Sequence, residues 1–197
     1  MKNLFLVLLL LVVCSLSTSV AQARGDSFGM SWSSAIATGN TSDFVSGFQA
    51  RGINVEYRKR VNSNYLWGLN VGYNVFAETG NSTVNMNHVQ ATGIWGKYVN
   101  TVPIYLAAFY EFGPYQARSG RFYVGMNAGT AWLEQRATLS SFALENDNWH
   151  MAVAPEIGYH LPWNSFVGHV SVRYNYVFEA GETEAQSWLE FRVGFGL

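Results

Sequence analysis

Strict alternation of side-chain character is the feature of this sequence that most constrains its fold. From residue 65 to residue 76 the odd positions are aromatic or aliphatic, beginning with Tyr65, Trp67 and Leu69. The even positions are mainly glycine and asparagine, as at Gly68 and Asn70. Neighbouring side chains of a β-strand point to opposite faces of the sheet, so the alternation predicts a strand. Its length is close to the roughly 9–11 tilted residues with which a strand crosses a bilayer.

The same alternation recurs along the chain and predicts eight strands. They cover residues 28–33, 53–58, 65–76, 102–112, 122–129, 149–161, 170–178 and 189–197. Short connections at 61–64, 113–120 and 162–165 alternate with longer polar ones at 37–48, 77–100, 135–147 and 179–185. Short turns at one end and long loops at the other are typical of a barrel with an even number of strands, and both chain ends then lie on the side of the short turns.

Two local features qualify this pattern. Residues 89–98 contain Ile94, Trp95 and Tyr98, so the fourth strand could extend beyond the membrane as part of a hairpin. Pro155 lies inside the sixth strand, where it removes one backbone hydrogen-bond donor. Such a proline predicts a β-bulge.

The composition decides which face of the strands points outward. Only 13% of the residues are charged, against about 25% in an ordinary soluble domain. A soluble barrel needs a charged outer surface, yet Lys59 and Lys97 are the only lysines after residue 2. We therefore expect the apolar face to point outward, in an all-β, eight-stranded, antiparallel, up-and-down transmembrane β-barrel. The alternative is a secreted soluble barrel.

The first residues have the layout of a secretory signal peptide. Lys2 is followed by the apolar run 4–13 and by small residues that end in Ala21 and Ala23. The predicted organisation is a signal peptide at 1–21, with cleavage after Ala21 or Ala23, and a barrel domain at 22–197. An uncleaved membrane anchor is the alternative, but the run is shorter than the roughly 20 residues of a spanning helix. Cleavage also removes Cys14, which is the only cysteine.

The strand pattern places charged side chains on the inward face. An eight-stranded barrel has an interior just wide enough for side chains to fill, and charges there must be paired. We therefore predict a structural network of ion pairs in the lumen, with His150 and His160 on the same face. A narrow channel for small solutes or ions is the alternative function. The charged residues of the predicted network are Glu56, Arg58, Glu111, Glu156, Arg173, Glu190 and Arg192.

Histidines are the candidates for catalysis and for metal binding. His169 and Ser171 form a His-x-Ser pair on one strand face, but the pattern places this face inside the barrel and identifies no glutamate at the same depth. Nucleophilic catalysis needs a histidine that a third group orients, so we expect no enzyme. A lipid-modifying enzyme is the second alternative function. His150 and His160 lie roughly 33 Å apart along one strand, too far to share an ion. We expect no metal and no cofactor, and the net charge of −1 argues against a nucleic-acid partner.

Several segments resemble small outer-membrane β-barrel proteins such as OmpA, OmpX and OmpW. Residues 121–130 resemble an R-P-Y-V-G-x-G-x-G strand, with Phe122 in place of the proline. Residues 101–106 resemble an x-x-P-I-x-L strand, and residues 149–158 resemble an A-P-E-x-G strand. The alternating segment 191–197 is similar to the carboxy-terminal signal read by the barrel-assembly machinery, although Leu197 replaces the usual aromatic residue.

The resemblance implies a location and a set of partners. It implies an integral protein of the outer membrane of a Gram-negative bacterium, with both termini in the periplasm. The partners are then outer-membrane lipids and lipopolysaccharide, the barrel-assembly machinery during insertion, and possible neighbours among other outer-membrane proteins. Because members of this group differ in function, the expected role is that of a structural or interaction protein, or of an accessory subunit.

Overall fold

An eight-stranded sheet closes on itself in the computed structural model, which describes residues 27–86, 89–114, 119–139, 142–163, 166–181 and 183–197. The predicted signal peptide with Cys14, and also His88, lie outside the described residues. One short helix, α1 (Asn40–Phe44), follows the first strand. The strands are β1 (Ser27–Thr38), β2 (Phe48–Arg60), β3 (Tyr65–Met86), β4 (Val89–Glu111), β5 (Arg121–Leu139), β6 (Phe142–Pro162), β7 (Val167–Val177) and β8 (Gln186–Gly196).

Closure of the sheet leaves no strand at an open edge of the barrel wall. Each strand pairs antiparallel with the next along the chain, and β8 pairs with β1, where Trp32 lies opposite Val193. A closed barrel pairs the backbone groups that an open sheet would leave exposed to lipid. The predicted eight-stranded, antiparallel, up-and-down barrel is therefore confirmed. Within the described ranges no helix has the length and apolar character needed to cross a membrane.

The two ends of the barrel differ in their connections. We call one the turn end, because it holds Ser27, Leu197 and the connections at 61–64, 112–120 and 163–166. There the Phe28 N–H donates to the Leu197 carbonyl at 3.0 Å, and the Leu197 N–H donates back at 2.9 Å. The opposite end, the loop end, holds the other four connections. The first described residue, Ser27, and Leu197 therefore lie at the same end of the barrel.

The structure corrects two of the predicted long loops. Most of 77–100 and 135–147 is strand, because β3 pairs with β4 as far as Met86 and Val89, and β5 pairs with β6 as far as Leu139 and Phe142. Polar residues stand at both odd and even positions of these segments in the sequence, so alternation does not reveal them, yet their backbones pair with each other. The extension of the fourth strand is thus present, and β3–β6 continue beyond the other strands at the loop end.

The predicted bulge at Pro155 is wrong. Pro155 lies opposite Met126 in an uninterrupted register between β5 and β6, and the register with β7 is the same before and after it. A proline removes one donor from the ladder but does not need an inserted residue. A register shift occurs instead in β1, between Ser33 and Ala35 where they face β2. This shift lets β1 turn consecutive small side chains toward the interior.

Candidate functional site

The barrel interior collects the buried charged side chains of the described chain. Each of the seven charged residues expected in the lumen projects inward and is at most 6% exposed. They do not form one cluster. Five of them, Glu56, Arg58, Glu156, Arg173 and Arg192, make a central group that we call the Glu156 cluster. Glu190 lies beside it, and Glu111 belongs to a separate group at the turn end.

Glu156 is the hub of the Glu156 cluster. Arg173 donates to Glu156 Oε2 from Nε at 3.0 Å and from Nη2 at 2.8 Å. Arg192 Nη1 lies 3.2 and 3.1 Å from the two carboxylate oxygens, and the Tyr123 hydroxyl donates to Oε1 at 2.7 Å. Two-point contacts between arginine and carboxylate are among the strongest hydrogen bonds in proteins. One carboxylate on β6 therefore joins β5, β7 and β8 across the lumen.

Glu56 completes the pairing of the same arginines from β2. It accepts from Arg192 Nη2 at 2.7 Å and from Arg58 Nη2 at 3.1 Å. His169 Nε2 lies 3.4 Å from its other oxygen. Because Arg58 also lies 3.4 Å from Glu156, each arginine of this group other than Arg173 faces both carboxylates. Shared counter-charges of this kind make burial of ionised groups tolerable.

Glu190 is held mainly by neutral donors. The side-chain amides of Asn54 and Asn175 donate to its two oxygens at 2.8 and 3.0 Å. Arg173 Nη1 is more distant, at 4.0 Å. The two glutamates at the centre of the barrel, Glu156 and Glu190, thus differ in their surroundings. Glu156 is paired with arginines, whereas Glu190 accepts hydrogen bonds chiefly from side-chain amides.

A second group, the Glu111 cluster, lies at the turn end. Glu111 Oε2 lies 2.7 Å from Arg60 Nη1 and is also paired with Arg121, while His160 Nδ1 is 2.5 Å from Oε1. The sequence analysis did not assign Arg60 or Arg121 to the lumen. Arg60 shares the parity of Arg58, which is the signal that could have found it. Arg121 lies one position before the predicted strand and shares the inward parity of Tyr123, so the same signal could have found it.

His160 connects the two clusters. Its Nε2 lies 2.5 Å from Arg58 Nη1, and its ring stacks on Tyr123 with centroids 4.4 Å apart. A guanidinium can only donate, so Nε2 must accept and Nδ1 must carry the proton that is donated to Glu111. The ring is therefore held in one tautomer. A chain of contacts runs from Glu111 through His160 and Arg58 to the Glu156 cluster.

Apolar side chains fill the interior above and below the charges. Toward the loop end lies an apolar layer that includes Phe76, Val99, Leu133, Val177 and Trp188, all no more than 1% exposed. The Phe76 and Trp188 rings pack edge to face at 5.8 Å. A smaller cluster at Leu66, Ala107, Phe109 and Tyr123 lies toward the turn end. The Glu156 cluster therefore lies between two apolar packings, which raises the cost of leaving any of its charges unpaired.

The His-x-Ser pair lies inside the barrel wall. His169 and Ser171 both face the interior and are buried, as the strand pattern predicts. No acid at this depth is evident from the sequence. The structure places Glu56 beside His169, because β2 lies across the lumen from β7. The carboxylate is committed to Arg58 and Arg192 as well. His169 therefore belongs to the ion-pair network, and the buried Ser171 hydroxyl makes no hydrogen bond to it.

The remaining histidine of the interior is separate from these clusters. His150 lies on β6 at the loop end, where Nδ1 is 2.9 Å from the Phe178 carbonyl oxygen. It lies on the same strand as His160 but nearer the loop end. Within the described ranges no three histidine, cysteine or acidic side chains are grouped so that they could hold a metal ion.

The exterior of the barrel is apolar and carries two belts of aromatic side chains. Near the turn end, ring pairs pack edge to face at 4.7–5.9 Å, namely Tyr57–Trp67, Tyr65–Tyr110 and Phe122–Tyr159. Nearer the loop end a second belt contains Trp32, Tyr73, Trp132, Trp149, Tyr174 and Tyr176. Between them aliphatic side chains such as Leu106 and Met151 are about two-thirds exposed, at 64% and 65%. An apolar band between two aromatic belts is the outer surface of a transmembrane β-barrel.

The fold, the apolar exterior and the filled interior define a class: a closed, eight-stranded, transmembrane-type β-barrel. Comparison of the structure agrees with this class. The barrel is similar to Ail, the attachment invasion locus protein of Yersinia pestis, solved in complex with the heparin analogue sucrose octasulfate. The TM-score is 0.50 at 12% sequence identity, over 87% of this chain and 96% of that chain. At this identity the likeness establishes a shared fold.

Two other solved structures are similar to a lesser degree. Neisserial surface protein A gives a TM-score of 0.49 at 14% identity, over 88% of this chain and 96% of that one. OprG from Pseudomonas aeruginosa, an outer membrane protein, gives 0.48 at 11% identity, over 87% and 94%. The conclusion about the fold does not rest on these two. No protein-family model matches the chain, and no curated protein matches it.

Proposed function

We propose that this chain is an integral outer-membrane β-barrel with a side-chain-filled lumen, and that it acts as a structural or interaction protein, or as an accessory subunit of a membrane complex. The observation that carries this proposal is the packing of the interior. The Glu111 cluster, the Glu156 cluster and the apolar layer follow one another along the barrel axis. A water-filled pore needs a lumen that side chains leave open, as in much larger barrels.

The proposed orientation puts the turn end and both termini in the periplasm. Short turns on the periplasmic side and long loops outside are the general arrangement of such barrels. The apolar band would contact outer-membrane lipids and lipopolysaccharide. During insertion, the barrel-assembly machinery would recognise the carboxy-terminal strand β8 through its alternating residues, which end in Leu197. The aromatic exterior is equally suited to contact with a neighbouring barrel.

The charge of the loop end argues against transferring the ligand of Ail. The described residues at this end include seven acidic and three basic side chains. The acids are Asp43, Glu78, Glu134, Glu145, Asp147, Glu179 and Glu184, and the bases are Arg51, Lys97 and Arg136. A highly sulfated sugar needs a basic surface, because its charges must be neutralised at the contact. The loop end is therefore unsuited to binding a polyanion.

We also propose that the chain is not an enzyme. His169, which would be the base, faces Glu56 in the ion-pair network and is only 4% exposed. A base must reach the proton of a substrate directly or through one water molecule. The apolar layer lies between this histidine and the loop end, and its register neighbour His160 contacts Glu111 at the turn end.

Electrical recording from the purified protein in planar lipid bilayers tests the filled lumen. We expect no steady single-channel conductance, because paired charges and apolar side chains occupy the interior. Successful insertion is established separately by resistance of the barrel to added protease. Steady, protein-dependent conductance would favour the alternative of a narrow channel and would contradict the proposal.

The mass of the native complex tests the interaction role. The chain is extracted from its own membrane in mild detergent, and the mass of the particle that carries it is measured. A mass well above that of one barrel with its detergent is expected for an interaction protein or accessory subunit. A particle that contains one barrel alone would argue for a free-standing structural protein.

A further inference from the structure

The segment between β1 and β2 covers the loop end of the lumen. This segment, residues 39–47, which we call the lid, contains α1 and begins and ends at Gly39 and Gly47. Both glycines have positive φ, at 53° and 94°, a backbone conformation that other residues rarely adopt. The backbone therefore changes direction sharply at each end of the lid.

The inner side of the lid packs on the apolar layer. Val45 is fully buried in the same cluster as Phe76 and Trp188, and Phe44 packs against that cluster. Ala37 of β1, just before the lid, belongs to it as well. The lid thus supplies the outermost part of the apolar packing, although it contributes no strand to the barrel wall.

A polar clasp holds one corner of the lid to β8. The Thr41 hydroxyl donates to Gln186 Oε1 at 2.8 Å and accepts from the Ser187 N–H at 2.9 Å. Thr41 is itself fully buried. Both hydrogen bonds of the clasp involve the Thr41 hydroxyl, so a single substitution of Thr41 removes them.

A charged latch holds the other corner to β3. Glu78 Oε2 accepts from the Ser46 N–H at 2.8 Å and from the Ser46 hydroxyl at 3.0 Å. Lys97, the register neighbour of Glu78 on β4, lies 5.2 Å from the centre of the Phe44 ring. Hydrogen bonds to an ionised acceptor are stronger than those between neutral groups. The latch is exposed to water, unlike the clasp.

We propose that the lid is a releasable cover. Loss of the Glu78 latch and the Thr41 clasp frees it about its two glycines and opens the apolar layer to molecules from the loop-end side, while the barrel wall stays intact. The lid can leave the barrel wall intact because β1 pairs with β2 and with β8 without any residue of 39–47. The inference needs the barrel fold but not the proposed role of the protein.

The latch also makes the lid sensitive to acid. The two hydrogen bonds from Ser46 hold the pKa of Glu78 below its ordinary value, with a smaller contribution from Lys97. Lys97 on β4 is the charged group that faces Glu78, and Asp43 is the acid that the lid itself carries. The stabilising effect of a carboxylate with a lowered pKa is complete at neutral pH and is lost as the pH falls through that value. Acid therefore weakens the latch.

Cysteine accessibility tests the lid directly, because the chain after residue 23 contains no cysteine. Ala37→Cys places a thiol beneath the lid, and a water-soluble methanethiosulfonate reagent reports its exposure in the folded protein. In the Thr41→Val, Glu78→Gln background we expect labelling to be faster by about tenfold or more, because several hydrogen bonds that close the lid are lost. Glu179→Gln is the matched control, since it removes an exposed carboxylate at the same end and should leave the rate unchanged.

Two further measurements make the result decisive. A difference in electrophoretic mobility between unheated and heated samples shows that the barrel of each variant is folded. If Ala37→Cys disturbs folding, Val99→Cys serves as a second reporter. Lowering the pH from neutral to about 3, below the ordinary pKa range of a glutamate, should accelerate labelling of the protein that carries only the reporter cysteine. The rate is measured relative to that of the unfolded chain, and the Glu78→Gln variant should not respond. Equal rates in parent and Thr41→Val, Glu78→Gln protein would overturn the proposal, whether both are slow or both are fast.

Discussion

At the scale of single residues, the interior depends on how each charge is compensated. Glu156 accepts from Arg173, Arg192 and Tyr123 at once, whereas the nearest donors of Glu190 are two amides. Removing one member of a buried ion pair leaves the partner charged in a medium that cannot solvate it. The two glutamates should therefore differ in their contribution to stability, although both are equally buried carboxylates on inward-facing positions.

Glu156→Gln should destabilise the barrel strongly. The amide keeps the shape but leaves Arg173 and Arg192 with fewer counter-charges, at a cost of about 3–5 kcal/mol. Glu190→Gln should cost only about 1–2 kcal/mol, since it mainly weakens two hydrogen bonds. Reversible urea unfolding in lipid vesicles measures both changes against the parent. A Glu190→Gln loss equal to or larger than that of Glu156→Gln would contradict this assignment of roles.

Residue-level prediction from the sequence succeeds for strand faces and fails for contacts across the lumen. Alternation determines which side chains point inward, so His169 and Arg173 could be placed in the interior. It does not determine which strands face each other across the barrel, because that depends on closure and on the stagger between strands. The approach of Glu56 on β2 to His169 on β7 is of this kind, and the sequence analysis missed it.

At the scale of elements, close approach of neighbouring strands explains some inward glycines. A Cβ at Gly129 of β5 would overlap the Ile104 carbonyl oxygen on β4, which is backbone and cannot move aside cheaply. Alternation predicts that this position faces inward, but it does not predict that the residue must be glycine. The requirement for glycine follows from the separation of the two backbones, which the sequence does not reveal.

Gly129→Ala should therefore force β4 and β5 apart. We expect a loss of about 1–3 kcal/mol in the free energy of unfolding, the usual cost of overpacking. Ala128→Val is the matched control, because residue 128 points outward from the same strand and its larger side chain meets lipid. The two variants are compared by the temperature at which the folded band disappears in gel electrophoresis. Equal behaviour of the two would show that the interstrand contact is unimportant.

Strand ends were harder to predict than strand centres. Inside the apolar band, lipid on one face and packed side chains on the other enforce a contrast that the sequence records. Beyond the band the sequence contrast between alternate positions ends in residues 77–86 and 135–139, while their backbones stay paired. Arg121 lies just before the predicted start of the fifth strand, so the prediction omitted it although it shares the inward parity of Tyr123 and is buried against Glu111.

At the scale of the whole molecule, charge is distributed unevenly along the barrel axis. Acidic side chains predominate in the described part of the loop end, whereas Lys59, Arg60 and Arg121 lie near the turn end. The central glutamates and arginines largely compensate each other. The end that the proposed orientation exposes to the medium therefore presents a negative surface, which repels anions over a distance set by ionic strength.

This asymmetry predicts how the protein behaves toward polyanions. In lipid nanodiscs of neutral composition it should pass through a heparin column at low salt, where electrostatic attraction is strongest. Ail, which was solved with a heparin analogue, is the natural comparison because it shares the fold. Retention that salt abolishes would contradict the charge argument.

The arrangement of faces, with lipid outside and packed side chains inside, is tested most directly by matched alanine-to-cysteine substitutions. On β4 and β5, Ala108 and Ala128 point outward, whereas Ala107 and Ala131 point inward. In vesicles the two outward thiols should react with a membrane-soluble maleimide and not with a water-soluble one, and the two inward thiols should react with neither. Reaction of inward thiols with the water-soluble reagent would indicate an open lumen, and reaction of the outward thiols with it would contradict the transmembrane barrel.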